Sequence, residues 1–188
     1  DVYYIGNQEM ARVRKGEITF YNLDGEEIEK ELKTVEWDAE AAEKSGYEHF
    51  MIKEIHEQPK AVSDTLNSVI KDGMIDLSEV GLSEEEIKEI SQIYIVACGS
   101  AYHVGVAAQY VMEDLARIPV RVELASEFRY RNPILDPKGL VVIISQSGET
   151  ADSLAALRES KKQGVKTLGI VNVIGSSIAR EADNVYYT

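Results

Sequence analysis

The 188-residue sequence predicts an α/β protein: a parallel, doubly wound sheet of flavodoxin-like strand order over residues 91–188, preceded by a β-hairpin remnant and linker helices. Three observations predict it. Residues 140–144 (Leu-Val-Val-Ile-Ile) form an apolar run with no alternation, as a strand buried on both faces does. From residue 92 onward such runs alternate with helical spacing, the repeat of a parallel sheet with right-handed crossovers. Two of these strands run straight into small polar turns that open helices, which is where open α/β sheets place their ligands.

Residues 1–34 read as β. Runs at 1–5 and 11–13 are separated by Gly6-Asn7, 17–22 is a strand, Asp24-Gly25 is a hairpin turn, and 26–32 returns. A hairpin or two is marginal in water, so this stretch is expected to be the closing strands of a domain that begins upstream of residue 1. Residues 35–90 are expected to be linker and helices. One helix is predicted over 40–58, with Phe50, Met51, Ile52 and Ile55 apolar and Pro59 closing it; a second covers 60–72, with Ala61, Val62, Leu66, Val69 and Ile70 on one face and Gly73 ending it. Ser83 reads as the N-cap of a third, with Glu86 completing a capping box.

The α/β part follows in order. Residues 93–97 are a strand, Cys98-Gly99-Ser100-Ala101 turns into a helix over 103–117, and 119–124 is the second strand. Ser126 is expected to cap a short helix to residue 131. After the strand at 140–144 a helix runs over 150–163 and Gly164 closes it. Residues 167–171 are the fourth strand, Gly175-Ser176-Ser177 opens a short helix to 182, and 184–187 begins a fifth strand, where the domain is expected to be truncated.

Charge divides the chain at the same place. Residues 1–90 carry 10 Lys and Arg against 23 Asp and Glu, a balance of −13, whereas residues 91–188 carry 10 of each. So acidic a chain is a poor partner for nucleic acid or an anionic membrane surface. A single cysteine excludes an internal disulfide and fits a reducing cytoplasm, and no apolar run is long enough to span a bilayer. With 44% hydrophobic residues the chain can bury a core. His49 and His56 stand too isolated to suggest a metal site.

The candidate site is the turn Ser145-Gln146-Ser147-Gly148-Glu149-Thr150. Three hydroxyls, an amide and a glycine between a buried strand and a helix N-terminus favour an anion, because unpaired N–H groups and the positive end of the helix dipole point into the turn. The plainer alternative is that these hydroxyls only cap the helix. The turn holds no Lys or Arg, so backbone and dipole must compensate the charge, and it lacks the Gly-Lys-Ser/Thr ending of a nucleotide P-loop. Cys98-Gly99-Ser100-Ala101 would lie beside it on the same rim, with Gly99 allowing close backbone approach and Ser100 adding a hydroxyl. Cys98 reads better as a buried strand-end thiol than as a nucleophile. His103 is either a base near a sugar or a polar residue of the first helical turn.

The segment Ser145–Asp152, with Ala97-Cys98-Gly99 before it and Glu123–Arg131 between, resembles the first sugar-isomerase (SIS) domain of the glucosamine-6-phosphate synthase family. Residues 53–59 (Lys-Glu-Ile-His-Glu-Gln-Pro) resemble that family's linker between glutaminase and isomerase domains, and Gly175-Ser176-Ser177 with Arg180-Glu181 fits the same domain. The resemblance implies that residues 1–34 are the last strands of the glutaminase domain, that 35–90 lead into the isomerase part and that 91–188 are the first SIS domain. It implies that Ser145, Gln146, Ser147 and Thr150, with Ser100 opposite, hold the phosphate of fructose 6-phosphate or glucosamine 6-phosphate, supported by Gly99, Ala101 and Gly148. The family usually has Thr-Ser after Cys-Gly. Here Ser100-Ala101 stands instead, so any contact at Ala101 is through its backbone. Catalytic residues, glutamine binding and the ammonia-accepting lysine are expected outside these residues; no cofactor or metal is expected, and a cytoplasmic homodimer is. The alternatives are a stand-alone SIS-type phosphosugar isomerase or deglycase, or a sugar-phosphate-sensing regulatory module. The acidic first half opposes the latter, which would need a basic DNA-binding segment.

Overall fold

The computed structural model describes residues 2–34 and 43–188. The backbone divides into two compact units, residues 1–53 and 54–188. The first contains three antiparallel strands, β1 (Met10–Arg14), β2 (Glu17–Tyr21) and β3 (Glu27–Ile28), in that order. Asp24-Gly25 makes the predicted hairpin turn: the Asn22 side chain accepts from the N–H groups of Asp24 and Glu26, and Gly25 takes φ +78°. Of the run at 1–5, residue 1 lies outside the described residues and residues 2–5 form no strand; a single bridge joins Val2 to Lys33.

Three expectations for the middle of the chain change. Of the helix predicted over 40–58, residues 40–42 lie outside the described residues, and the helix α1 begins only at Phe50 (Phe50–Asn67). Ser45 and Gly46 both sit at positive φ, which no helix tolerates. Pro59 does not close α1 but lies inside it. It removes the one N–H that would bond the Ile55 carbonyl, a local loss, while the apolar spacing 52, 55, 62, 66 continues across it. Finally, Val69 and Ile70 are not helical. Ile70–Lys71 (β4) and Met74–Ile75 (β5) form a tight hairpin around Asp72-Gly73, both at positive φ (+52° and +78°), the backbone of a type I′ turn.

Helix α2 (Glu84–Glu89) starts on the predicted capping box: the Glu86 N–H donates to Ser83 Oγ at 3.2 Å and the Ser83 N–H to Glu86 Oε2 at 2.9 Å. Glu86 also pairs with Lys166. The Lys166 ammonium first, then the Ser83 N–H, hold the Glu86 carboxyl down to about 2, from an ordinary value of 4.5. A depressed folded-state value means this contribution is complete above about pH 4.5 and fades as pH falls toward 2. Glu86→Gln is therefore expected to flatten the loss of stability between those pH values, measured by urea unfolding across the acid range.

The main sheet comprises β6 (Ile93–Ala97), β7 (Val120–Leu124), β8 (Leu140–Ser145), β9 (Lys166–Val171) and β10 (Asn184–Tyr187), all parallel, in the order β10-β9-β8-β6-β7. This is the predicted flavodoxin-like order. Alternate residues of β6 and β8 enter opposite cores, as strands covered on both faces require. Tyr94, Val96, Val141 and Ile143 meet Phe128, Ala156, Leu157 and Ile178, which come from α4 (Ala125–Tyr130), α5 (Ala151–Lys162) and α6 (Ser177–Glu181). Ile93, Ile95, Leu140 and Val142 meet Ala108 and Met112 of α3 (Gly99–Ala116). That helix begins at Gly99, four residues earlier than expected, and Ser126 lies within α4 and does not cap it; Leu124 holds the cap position without a side-chain bond.

Candidate phosphate-binding rim

Register puts the two predicted loops side by side. Ala97 pairs with Ile144 across β6 and β8, so Cys98 and Ser145 leave the sheet together at its carboxyl edge. Between these two strands the connections diverge to opposite faces, which opens the crevice of a doubly wound sheet. Helices α3 and α5 both point their N-termini into it, and neither is capped by a side chain. Thr150 holds the cap position of α5, yet its hydroxyl turns to Ser145 Oγ at 3.1 Å and leaves the first-turn N–H groups open. The capping alternative thus does not account for this hydroxyl.

Inside the turn the hydroxyls are tied to one another and to the backbone. Ser145, only 4% exposed, accepts from the Gly148 N–H at 3.1 Å and shares a 3.1 Å hydrogen bond with the Thr150 hydroxyl in which either oxygen can donate, so that one proton of the pair is left over for an incoming oxygen. Ser147 accepts from the Glu149 N–H at 3.2 Å and keeps an outward proton. Gly148 takes φ +65°, which turns the chain sharply enough for Ser145 and Thr150 to meet. Ser100 and Gly99 lie exposed at the first turn of α3, Gly99 at φ +58°, and Ala101 is half-buried beside them. Gln146 and Ser147 are exposed at the rim. The predicted residues therefore sit on one edge, and all the groups they offer are neutral: hydroxyls, an amide and backbone N–H.

A third loop, between β9 and α6, had not been expected at the site. Val171 pairs with Ser145, so Asn172 emerges next to Gln146. The Asn172 N–H donates to the Gln146 carbonyl at 3.1 Å, and Gln146 Nε2 reaches Asn172 Oδ1 at 3.5 Å. Glu149 caps α6 by accepting from the Ser177 N–H at 2.7 Å, while the Gly148 carbonyl accepts from the Ile178 N–H at 3.0 Å. Ser176 is buried directly behind Gly148. Ser153 of α5 is fully buried and meets Cys98 Sγ at 4.0 Å, tying the two original loops together. Cys98 is half-buried against the core, as read from sequence. His103 is exposed with its ring edge-on to Tyr102. Small polar residues in sequence carried no signal that distinguished Ser153 or Asn172 from ordinary loop and helix positions.

Among the described residues, no three His, Cys, Asp or Glu gather as a metal site, and no helix is long and apolar enough to cross a membrane.

Over the full chain, the sequence is 55% identical to the glutamine–fructose-6-phosphate aminotransferase (isomerizing) of Clostridium acetobutylicum and 45% identical to that of Methanosarcina acetivorans. It spans 31% of the length of each. A solved structure, the C-terminal domain of glucosamine-fructose-6-phosphate aminotransferase from Francisella tularensis, superposes with a TM-score of 0.73 at 47% identity, covering 78% of this chain and 41% of that one. The family described as the SIS domain matches residues 86–188, which hold the whole five-stranded sheet and all three loops of the rim. The chain belongs to the SIS domain family.

Proposed function

We propose that this chain is the phosphosugar-binding part of an enzyme that makes glucosamine 6-phosphate from fructose 6-phosphate and glutamine. The observation that carries the reading is the pair of uncapped helix N-termini, α3 and α5, meeting at a rim of outward hydroxyls. Such a rim suits a phosphate dianion: N–H groups and dipoles supply the charge compensation, and Ser147, Ser100 and the hydrogen-bonded pair Ser145–Thr150, through its one spare proton, donate to its oxygens. Gln146 would orient the sugar end or a phosphate oxygen, and Gly99, Gly148 and the Ala101 backbone would let the ligand approach closely. The rim offers no placed base or nucleophile, so we assign catalytic residues and glutamine binding to other parts of the enzyme.

In this reading residues 1–34 belong to a glutaminase domain, 35–90 lead into the isomerase part and 91–188 are the first SIS domain. Similarity to aminotransferases over the full chain, including residues before 86, favours this over a stand-alone isomerase or a sensing module. We also propose a cytoplasmic homodimer; exposed Val104, Val111 and Leu115 along α3 support the pairing.

The test is a titration with fructose 6-phosphate, inorganic phosphate and fructose, following thermal unfolding of the chain. Ligand at 100 times its dissociation constant stabilises the fold by about 2.7 kcal/mol. The expected result is a large shift with the phosphosugar, a smaller one with phosphate and none with fructose, and loss of both shifts in Thr150→Ala. Equal shifts with fructose and fructose 6-phosphate would overturn the phosphate reading.

A further inference from the structure

We infer that Arg129, on a different helix from the phosphate loop, sets the charge of the phosphate site by neutralising Asp152, and is thereby a positioning residue for phosphosugar affinity; this rests on the reading of the rim just given. The loop itself contains no cation, but two carboxylates lie within four residues there, Glu149 in the loop and Asp152 just beyond it. Glu149 is engaged by the Ser177 N–H at 2.7 Å. Asp152 lies in the first turn of α5, the same helix end that would receive the phosphate, and an uncompensated carboxylate there competes for the dipole and repels a dianion. Arg129 Nη1 donates to Asp152 Oδ1 at 2.8 Å. Both side chains are about two-thirds covered (33% and 36% exposed), so solvent screens them less than a surface pair. The guanidinium is held in place by the Tyr130 ring, 4.7 Å away, and by the packing of α4 on α5. Nothing in the chemistry of the α4–α5 contact demands an ion pair at this spot, since Phe128, Ala156 and Leu157 already form its apolar interior.

The consequence is an opposite pair of effects that a purely structural ion pair would not give. Arg129→Gln leaves Asp152 as a bare negative charge beside the phosphate and is expected to weaken fructose 6-phosphate and inorganic phosphate binding about fivefold, the effect of one unit charge on a dianion several ångströms away. Asp152→Asn leaves Arg129 unpaired and is expected to tighten both by a similar factor. The double variant should return to within about twofold of the parent chain, and Arg129→Lys should stay close to it, because charge is what matters. All these differences should shrink at about 0.5 M salt, where the screening length is only a few ångströms.

Affinities of the parent and four variant chains for the two ligands, by calorimetry at low and high salt, test this, with ligand-free melting points as a control on folding. If both single variants bind more weakly, or if the double variant binds no better than Arg129→Gln, Arg129 serves packing alone and the inference fails. Unchanged binding in Arg129→Gln overturns it too. A parent chain that binds neither ligand would overturn the reading of the rim, and this inference with it, whereas a binding parent with the wrong variant pattern sinks the inference alone.

Discussion

Gly148→Val is expected to remove sugar-phosphate binding and to destabilise the fold together. Gly148 sits at φ +65°, and a Cβ built there would lie 2.0 Å from Ser176 Oγ and 2.5 Å from Ser176 Cβ. Ser176 is 3% exposed, and although its hydroxyl can rotate, its Cβ cannot withdraw without moving the backbone. The left-handed backbone costs a β-branched residue about 1–3 kcal/mol, and overpacking adds about 1–3 more. At about 2–4 °C per kcal/mol for a chain of this size, the melting point should fall by roughly 5–20 °C. Binding should suffer more than stability, because relief of the clash moves the Gly148 N–H away from Ser145 and breaks the hydroxyl chain to Thr150. Gly164→Ala separates the two costs. Gly164 also has positive φ, +76°, but nothing lies within 4 Å of its added Cβ. It should lose only the conformational part, about 1 kcal/mol or a little more, with ligand affinity unchanged. A second comparison, Gly148→Ala with and without Ser176→Gly, should show partial rescue. Unfolding and fructose 6-phosphate titrations on this set provide the check; normal ligand affinity in Gly148→Val would show that the tight turn is not needed.

How much of this was legible in the sequence follows from which interactions are local. The sheet was legible because a parallel strand buried on both faces leaves a continuous apolar run, as at residues 140–144, and because short connections allow few strand orders. The local geometry of the turn at 145–150 was legible because Ser145, Ser147, Gly148 and Thr150 lie within six residues and bond within the turn. What escaped was set by distant partners. Asn172 meets Gln146 only because β9 lies beside β8, and Ser153 meets Cys98 only because α5 folds back over β6. Pro59 misled for a related reason: the rule that proline ends a helix weighs one lost hydrogen bond, while neighbouring turns decide whether the helix goes on. At Asp72-Gly73 the glycine was read as a helix stop, although its pairing with an aspartate equally describes a hairpin, and Ile70 and Met74 flank it as strand residues. Ser126 shows the limit of capping signals, since the chain entered α4 one residue earlier than the serine.

Phe128→Ala is expected to be the most destabilising single truncation in the second compact unit. Phe128 heads the fully buried side chains by volume, at 0% exposure, and sits in the core between β6 and β8 on one side and α5 on the other. Removing a buried aromatic ring costs about 3–5 kcal/mol, part transfer and part cavity, because a close-packed interior collapses only partly around the void. Here the surrounding wall is a parallel sheet whose strands cannot approach α4 without breaking their ladders, so the upper half of that range is expected. Tyr130, two residues on in the same helix, is 77% exposed. Its alanine variant should cost less than about 1 kcal/mol even though the rings are similar in size, since little area leaves water there. The contrast isolates burial from helix propensity, which both substitutions improve. A further effect follows from geometry. Phe128 anchors the helix that carries Arg129 to Asp152, so the truncation should also weaken phosphosugar binding, by no more than Arg129→Gln does. Urea unfolding of the two variants decides the first point. A loss under about 1 kcal/mol for Phe128→Ala would mean that α4 rests on the sheet without belonging to its core.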